Sequence, residues 1–265
     1  MFYKKWLFVP ATERFLNGRL EGLADTLIFD LEDAIKQEDK SAARERLVRR
    51  LKQAPEAECF IRINDGDMGL EDLSALQDCA YSGLLLPKTE STDFAEKVSN
   101  VAPGKKIIAL VESTGGIINL EKIVSSPLIS GIAFGGEDYC RELGVETNDI
   151  AMQYPRGRVV LYAKHYHKTC LDTISLEYKK RETFLKQFQN AISMGFDSKL
   201  LIHPAQADAV REWEEQLMSP AKMREIIERY ENSSTGLINI NGRWYEKPHI
   251  ERIKAILSQM EKQNA

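Results

Sequence analysis

The chain has 265 residues, 43% of them hydrophobic and 29% charged, with a formal net charge of −4. This is the composition of a globule with a full core, and the length suits one α/β barrel, for which about 250 residues is typical. An acidic balance without a long Lys/Arg stripe argues against a nucleic-acid partner, and no run approaches the roughly 18 apolar residues of a membrane helix. The apolar run in the opening MFYKKWLFVP is too short for a secretion signal, so a cytoplasmic protein is expected. Cys59, Cys79, Cys140 and Cys170 lie far apart with no C-x-x-C pair, which predicts reduced thiols rather than a zinc site or a disulfide framework.

In chain order, short apolar runs recur at WLFVP (6–10), TLIFDL (26–31), CFIRIN (59–64), GLLLP (83–87), IIALVE (107–112), GIAFGG (131–136), CLDTI (170–174) and KLLIH (199–203). Most gaps hold amphipathic patterns such as ERFLNGRLEGLA and SAARERLVRRLKQ, where apolar positions return every three or four residues. Strand then helix, eight times over, predicts a (β/α)8 TIM barrel. The runs are near-continuously apolar rather than alternating, as parallel strands covered on both faces should be. The basic stretch Arg44 to Lys52 falls at helical spacing and reads first as a solvated helix face, second as a binding patch.

Beyond the eighth run, PAQADAVREWEEQL and PAKMREIIERY read as two more helices. Asn241-Gly242 between LINI and RWY signals a hairpin, and Pro248 opens a last helix with Ile250, Ile253, Leu257 and Met260 on one face. The barrel is therefore assigned to residues 1–230. The surplus, 231–265, is a C-terminal hairpin-plus-helix extension that packs on its own barrel or reaches a neighbouring subunit.

Barrel active sites sit at the C-terminal ends of the strands, so the polar residues that follow each run are the candidates. Asp30, Glu32 and Asp33 follow the second run, Arg62 and Asn64 the third, Lys88 the fourth and Glu112 the fifth. Glu137 and Asp138 follow the sixth, Asp172 lies in the seventh and His203 ends the eighth. Glu112 and Asp138 come from adjacent strands, so they either share a hard cation such as Mg2+ or each cap the helix that follows. Arg62 stands where a core residue is expected; it grips a substrate oxygen bidentately or pairs with Glu32 or Asp33. Lys88 raises the alternative of a Schiff-base aldolase against a charge facing solvent or phosphate. His203 reads as a structural hydrogen bonder, and His165 and His167 are spaced wrongly for a metal pair on a helix. The glycine pairs 115–116 and 135–136 let backbone approach a ligand, while the absence of G-x-G-x-x-G and Walker patterns disfavours nucleotide-cofactor dehydrogenases and P-loop enzymes.

The ordered set LFVP, ADTLIFDLEDAI with KSAAR, FIRIN, LLLPK, IIALVESTGG, GIAFGGEDY, YPRGRVV, CLDTI, GFDSKLLIHPAQ and NGRWYEKP resembles the citrate lyase beta-subunit-like group of the HpcH/HpaI aldolase superfamily over essentially the whole chain. The resemblance implies a Mg2+-dependent barrel lyase, usually trimeric, that makes or breaks C–C bonds in citryl, citramalyl and malyl thioesters. It implies Glu112 and Asp138 as Mg2+ ligands and Arg62 as the residue that polarises substrate oxygens. It puts Glu32, in DLED, close to a catalytic acid arriving on the tail of an adjacent subunit. The family has Asp after Gly-Lys at that tail position; this chain reads Gly242-Arg243-Trp244-Tyr245-Glu246, which makes Glu246 the candidate.

After the first strand the family's V-P-G and its Pro, Arg and Lys turn help hold coenzyme A; here the segment is VPATERFLNG, with Asn17 near the expected Lys and Arg14 retaining part of the phosphate contact. Lys88, Gly136 and Glu137 complete the expected substrate contacts. The expected reaction is cleavage of citramalyl-CoA to pyruvate and acetyl-CoA by a homotrimer. Citryl-thioester or malyl-CoA cleavage, an acyl-carrier-protein thioester in place of CoA, and a non-catalytic acyl-thioester-binding barrel stand as alternatives.

Overall fold

The computed structural model describes residues 3–18, 20, 22–52, 57–217, 219–240 and 243–263. Eight parallel strands close into a barrel in sequence order: β1 (Trp6–Pro10), β2 (Thr26–Asp30), β3 (Glu58–Arg62), β4 (Gly83–Leu86), β5 (Lys106–Val111), β6 (Gly131–Phe134), β7 (Thr169–Asp172) and β8 (Ser198–Leu201). Closure is made by β8 on β1, with Trp6 paired to Leu200. Each strand coincides with one of the eight apolar runs to within a residue or two.

Side chains alternate across each strand, and one set fills the barrel: Trp6, Ile28, Phe60, Leu85, Ile108, Leu110, Ala133, Leu171 and Leu200. Intervening residues such as Leu27, Phe29, Leu84 and Leu86 are equally buried, on the side that the helices cover. Two-sided burial is why the runs are continuous rather than alternating. The interior is packed tightly enough that a Cβ on Gly83 would lie 2.4 Å from the Phe60 ring, so only glycine fits beside that aromatic.

SAARERLVRRLKQ forms the helix Lys40–Leu51, burying Ala43, Leu47 and Leu51 at four-residue spacing. ERFLNGRLEGLA departs from expectation, because among its described residues only Glu13–Leu16 is helical. Asn17 and Gly18 are weak helix formers; Gly18 N–H turns back to Phe15 O, and Gly22 takes a left-handed φ of 73°.

By internal contacts the barrel unit runs Lys4–Ala207, and a smaller unit comprises Asp208–Ala265 with Met1–Tyr3. The smaller unit has its own core: Met223, Ile226, Tyr245, Ile250, Ile253 and Leu257 pack together, with Met260 against them. Its helix Pro220–Glu231 is capped by Ser219, whose side chain accepts from Lys222 N. Strands β9 (Leu237–Ile240) and β10 (Arg243–Glu246) pair antiparallel, and the helix Lys247–Gln263 follows with Pro248 in its first turn. The Asn241-Gly242 turn lies outside the described residues. Tyr3 donates its amide to Glu214 and stacks on Trp213 at 6.1 Å. Among the described residues, no helix is long and apolar enough to cross a membrane.

Candidate active site

The end of β2 and the end of β3 meet in register, Asp30 beside Arg62. Arg62 donates to Asp30 as a fork, Nε to Oδ1 at 2.8 Å and Nη2 to Oδ2 at 2.7 Å. Its remaining nitrogen, Nη1, lies 3.1 Å from Glu32 and 3.6 Å from Asp33, and the guanidinium sits 5.0 Å over the Phe8 ring. The expected pairing with Glu32 or Asp33 is thus present, but the principal partner is Asp30. Asp30 also accepts from the amides of Glu32 and Ala34, so one carboxylate shapes the loop and orients the arginine. Surrounded by three acids, Arg62 is held above its ordinary pKa despite its burial.

The DLED loop is pinned from below by Asn64, one of the strand-end candidates, and by Lys40, to which the sequence reading gave no role. Lys40 Nζ donates to Leu31 O at 3.0 Å and to Glu32 O at 2.9 Å, and Asn64 Nδ2 donates to Leu31 O and to Asp72 Oδ2. Lys40 opens the KSAAR motif and Asn64 ends FIRIN, so the spacing of those motifs to DLED was the available signal.

Glu112 follows β5 and is buried. Its Oε1 accepts the Lys88 amide at 2.7 Å. A Cβ on Gly135 would come within 2.5 Å of Glu112 Cβ and 2.6 Å of Oε2, so the glycine after β6 makes the room this carboxylate occupies. Burial, joined by the nearby charges of Asp138 and Glu32, pushes the Glu112 carboxyl up to about 8. Asp138 sits in the first turn of the helix Gly136–Glu142 and pairs with Arg141 at 2.7 Å. Burial also pushes Glu32 upward, against the opposing charge of Arg62 and Lys88. Glu32 Oε1 lies 3.0 Å from Lys88 Nζ as an ion pair, yet no donor points along its lone pairs.

Of these groups, Lys88, Glu112, Asp138 and Arg141 line a cleft of about 790 Å3, together with Asp65 and Phe94. The donor set suits a hard divalent ion. Two carboxylates would supply oxygen ligands, and a cation there would offset the burial that raises Glu112 and the neighbouring charges that add to it. Among the described residues no group of three or more His, Cys, Asp or Glu side chains forms a closed metal cage. A two-carboxylate site leaves its other positions to water and substrate, as Mg2+ ordinarily requires.

Other expected residues fall elsewhere. Gly136 spends its N–H on Thr173 Oγ1 at 2.8 Å, and a Cβ there would meet Met152 Sδ at 2.5 Å, so it is a packing glycine. Glu137 accepts from Thr147 and lines a separate cleft of about 590 Å3 with Asn148, Arg156 and Lys186. Arg14 is exposed, its guanidinium 5.7 Å over Phe15. Glu246 is exposed on β10 in the smaller unit. Asp172, expected on the rim, instead faces the helix layer, because Leu171 is the residue of β7 that points inward. His203 Nδ1 accepts from Ala205 N at 3.1 Å while its ring stacks on Tyr178. The Lys88 ammonium is held above its ordinary range by Glu32, the opposite of what an amine nucleophile needs.

A closed parallel barrel with acids, an arginine and a lysine gathered at the C-terminal ends of its strands has the layout of a barrel-enzyme active site. Residues 4–204 match the HpcH/HpaI aldolase/citrate lyase family, and the chain belongs to that family, as a carbon–carbon lyase. It is 30% identical over 275 residues to a (3S)-malyl-CoA thioesterase of Cereibacter sphaeroides, covering 98% of this chain and 95% of the relative. It is 30% identical to the citrate lyase subunit beta of Haemophilus influenzae, covering 96% and 95% of the two chains. Among solved structures it resembles the protein CitE from Mycobacterium tuberculosis in complex with magnesium, acetoacetate and coenzyme A, with a TM-score of 0.79 and 28% identity over 96% of this chain and 97% of that one.

Proposed function

We propose that this chain is an Mg2+-dependent lyase of 3-hydroxy acyl thioesters, with citramalyl-CoA as substrate and pyruvate and acetyl-CoA as products. The observation that carries this reading is the meeting of Arg62, Glu32, Lys88 and Glu112 with Asp138 at one end of the barrel. Glu112 and Asp138 would hold the ion, which when bound polarises the substrate's hydroxyl and carboxylate oxygens and lowers the hydroxyl pKa. The hydroxyl proton passes to a base. As the C–O bond becomes a carbonyl the C–C bond breaks, and its electron pair passes to the enolate of the acetyl thioester, which takes a proton at carbon. Arg62, its fork locked by Asp30, offsets negative charge on the reacting oxygens. Proton traffic is assigned to Glu32 together with Glu246 of a neighbouring copy in a homotrimer. Arg14 contacts the substrate's phosphate-bearing handle, CoA or an acyl-carrier protein, in the cytoplasm.

The magnesium and coenzyme A held by the CitE structure and the thioester substrate in the Cereibacter relative's name support this reading. The test is purified protein with citramalyl-, malyl- and citryl-CoA, with and without Mg2+, scoring 2-oxo acid and free thiol separately. Mg2+-dependent pyruvate from citramalyl-CoA is the expected result. Oxo acid from only one of the others moves the substrate, and thiol without oxo acid replaces cleavage by thioester hydrolysis.

A further inference from the structure

Lys88 is one of two non-glycine residues with a positive φ among the described residues, at 50°. For an L-residue with a long side chain this conformation is held against steric cost, and it persists where the surroundings over-determine it. They do so here on both sides of the residue. Thr89 N–H donates to Leu110 O at 3.0 Å, and Thr89 Oγ1 donates back to Leu86 O at 2.9 Å, which closes the turn after β4. The consequence is a division of labour within one residue. The amide turns toward Glu112 Oε1 at 2.7 Å, while the side chain crosses the rim to Glu32 Oε1 at 3.0 Å.

That second contact matters because Glu32 Oε1 is a buried acceptor without a directed donor among the described residues: Arg62 Nη1 pairs with the other oxygen, Oε2, at 3.1 Å, and the Lys88 ammonium is the cation beside Oε1. A residue in ordinary helical or extended backbone could reach one of these carboxylates but would aim its amide away from the other. We propose that Lys88 is a positioning residue that sets the spacing of the two acidic centres, Glu112 through its amide and Glu32 through its ammonium, and that the left-handed backbone is retained for this purpose at a cost in stability. This rests on the lyase reading for its catalytic consequence but not for its structural one.

Three variants separate the two arms. Lys88→Gly keeps the amide donor, relaxes the backbone and removes the ammonium. Lys88→Met keeps both the strain and the chain length without the charge. Lys88→Arg keeps the charge. The glycine variant should melt about 2–4 °C above the methionine variant, since they differ chiefly in backbone strain. Both should bind Mn2+, followed by electron paramagnetic resonance, within twofold of the parent protein, because the amide to Glu112 is intact. Both should lose at least tenfold in kcat on the active thioester, with the arginine variant recovering part of it.

A glycine variant no more stable than the methionine variant overturns the claim of retained strain. A kcat within twofold of the parent, or loss of Mn2+ binding in the glycine variant, overturns the division between the two arms. If the parent itself turns over none of the thioesters, the lyase reading fails, and the melting order and Mn2+ binding still decide this one.

Discussion

On the outer side of β7 and β8, Arg156 grips Asp172 with Nε and Nη2 at 2.8 and 2.9 Å, Lys199 Nζ reaches the same carboxylate at 2.9 Å, and Asn190 Oδ1 accepts from Arg156 Nη1. On the rim, Arg62 grips Asp30 with the same fork, but Glu112 and Asp138 line an open cleft, and one buried oxygen of nearby Glu32 lacks a directed donor. Both clusters join an arginine and a lysine to carboxylate oxygens, and both tie neighbouring strands together. The difference is completion. Asp172 is fully buried with every oxygen engaged, so that network binds β7, β8 and the helix Asp149–His165 into one body and has no capacity left for a ligand. The rim cluster carries surplus negative charge that only something from outside can neutralise. Unfinished electrostatics next to a cleft, rather than buried charge as such, marks the working site.

The comparison can be broken most sharply at the carboxylates. Glu112→Gln or Asp138→Asn should lower metal-dependent turnover by about a thousandfold or more with the thermal midpoint little changed, since the proposed ion supplies the main polarisation. Wild-type-like rates in either variant would remove them from the metal site. Arg62→Ala should cost about 10²–10³ in kcat, the usual loss when one preorganised charge stabiliser is deleted. If it raised KM alone, Arg62 would be a ground-state binder. On the closed network the effect should appear in stability instead. Asp172→Ala leaves Arg156 and Lys199 buried without a counter-charge and should cost about 3–5 kcal/mol in denaturant titration. Burial already pushes the Lys199 ammonium below its ordinary value, and Asp172 is the group that opposes this. Activity per folded molecule should survive, and a selective loss of kcat at full stability would undo the contrast drawn above.

The smallest effect belongs to the opposite end of the barrel. Glu58 at the start of β3 feels burial, which raises its pKa, but Lys4 and Lys106 outweigh it and hold it below the ordinary range of a glutamate. A carboxyl depressed in the folded state stabilises above its unfolded pKa, and that stabilisation is lost as pH falls through the folded one. Glu58→Gln should therefore cost about 0.5 kcal/mol at pH 7, a value typical of partly exposed pairs, and the difference from the parent should vanish in titrations carried well below pH 4.5.

How far the site could be read from sequence varies by residue. Glu112, Arg62 and Lys88 end apolar runs, and a barrel brings strand ends to one rim, so their convergence follows from position alone. Asp138 carries the same logic one helical turn later. Asp172 ends a run just as they do and yet faces outward. The alternation of side chains makes inside and outside differ by one residue, and a strand buried on both faces shows no polar and apolar alternation to set the register. Gly136 and Glu137 show a related effect, since the turn after β6 directs the N–H of one to Thr173 and the side chain of the other to Thr147 beside a different cleft.

The sequence by itself determined the eight-strand barrel, the order of its elements, the hairpin and helix of the tail, and the family. These follow from hydrophobic periodicity and from motifs whose information is local in the chain. Only the tertiary structure decided that Asp30 rather than Glu32 is the fork partner of Arg62, and that Lys88 bridges Glu32 and Glu112. It also decided that Arg156, Asp172 and Lys199 close on one another. Each of those outcomes depends on a side-chain direction or a single left-handed backbone angle, set by packing between residues far apart in sequence.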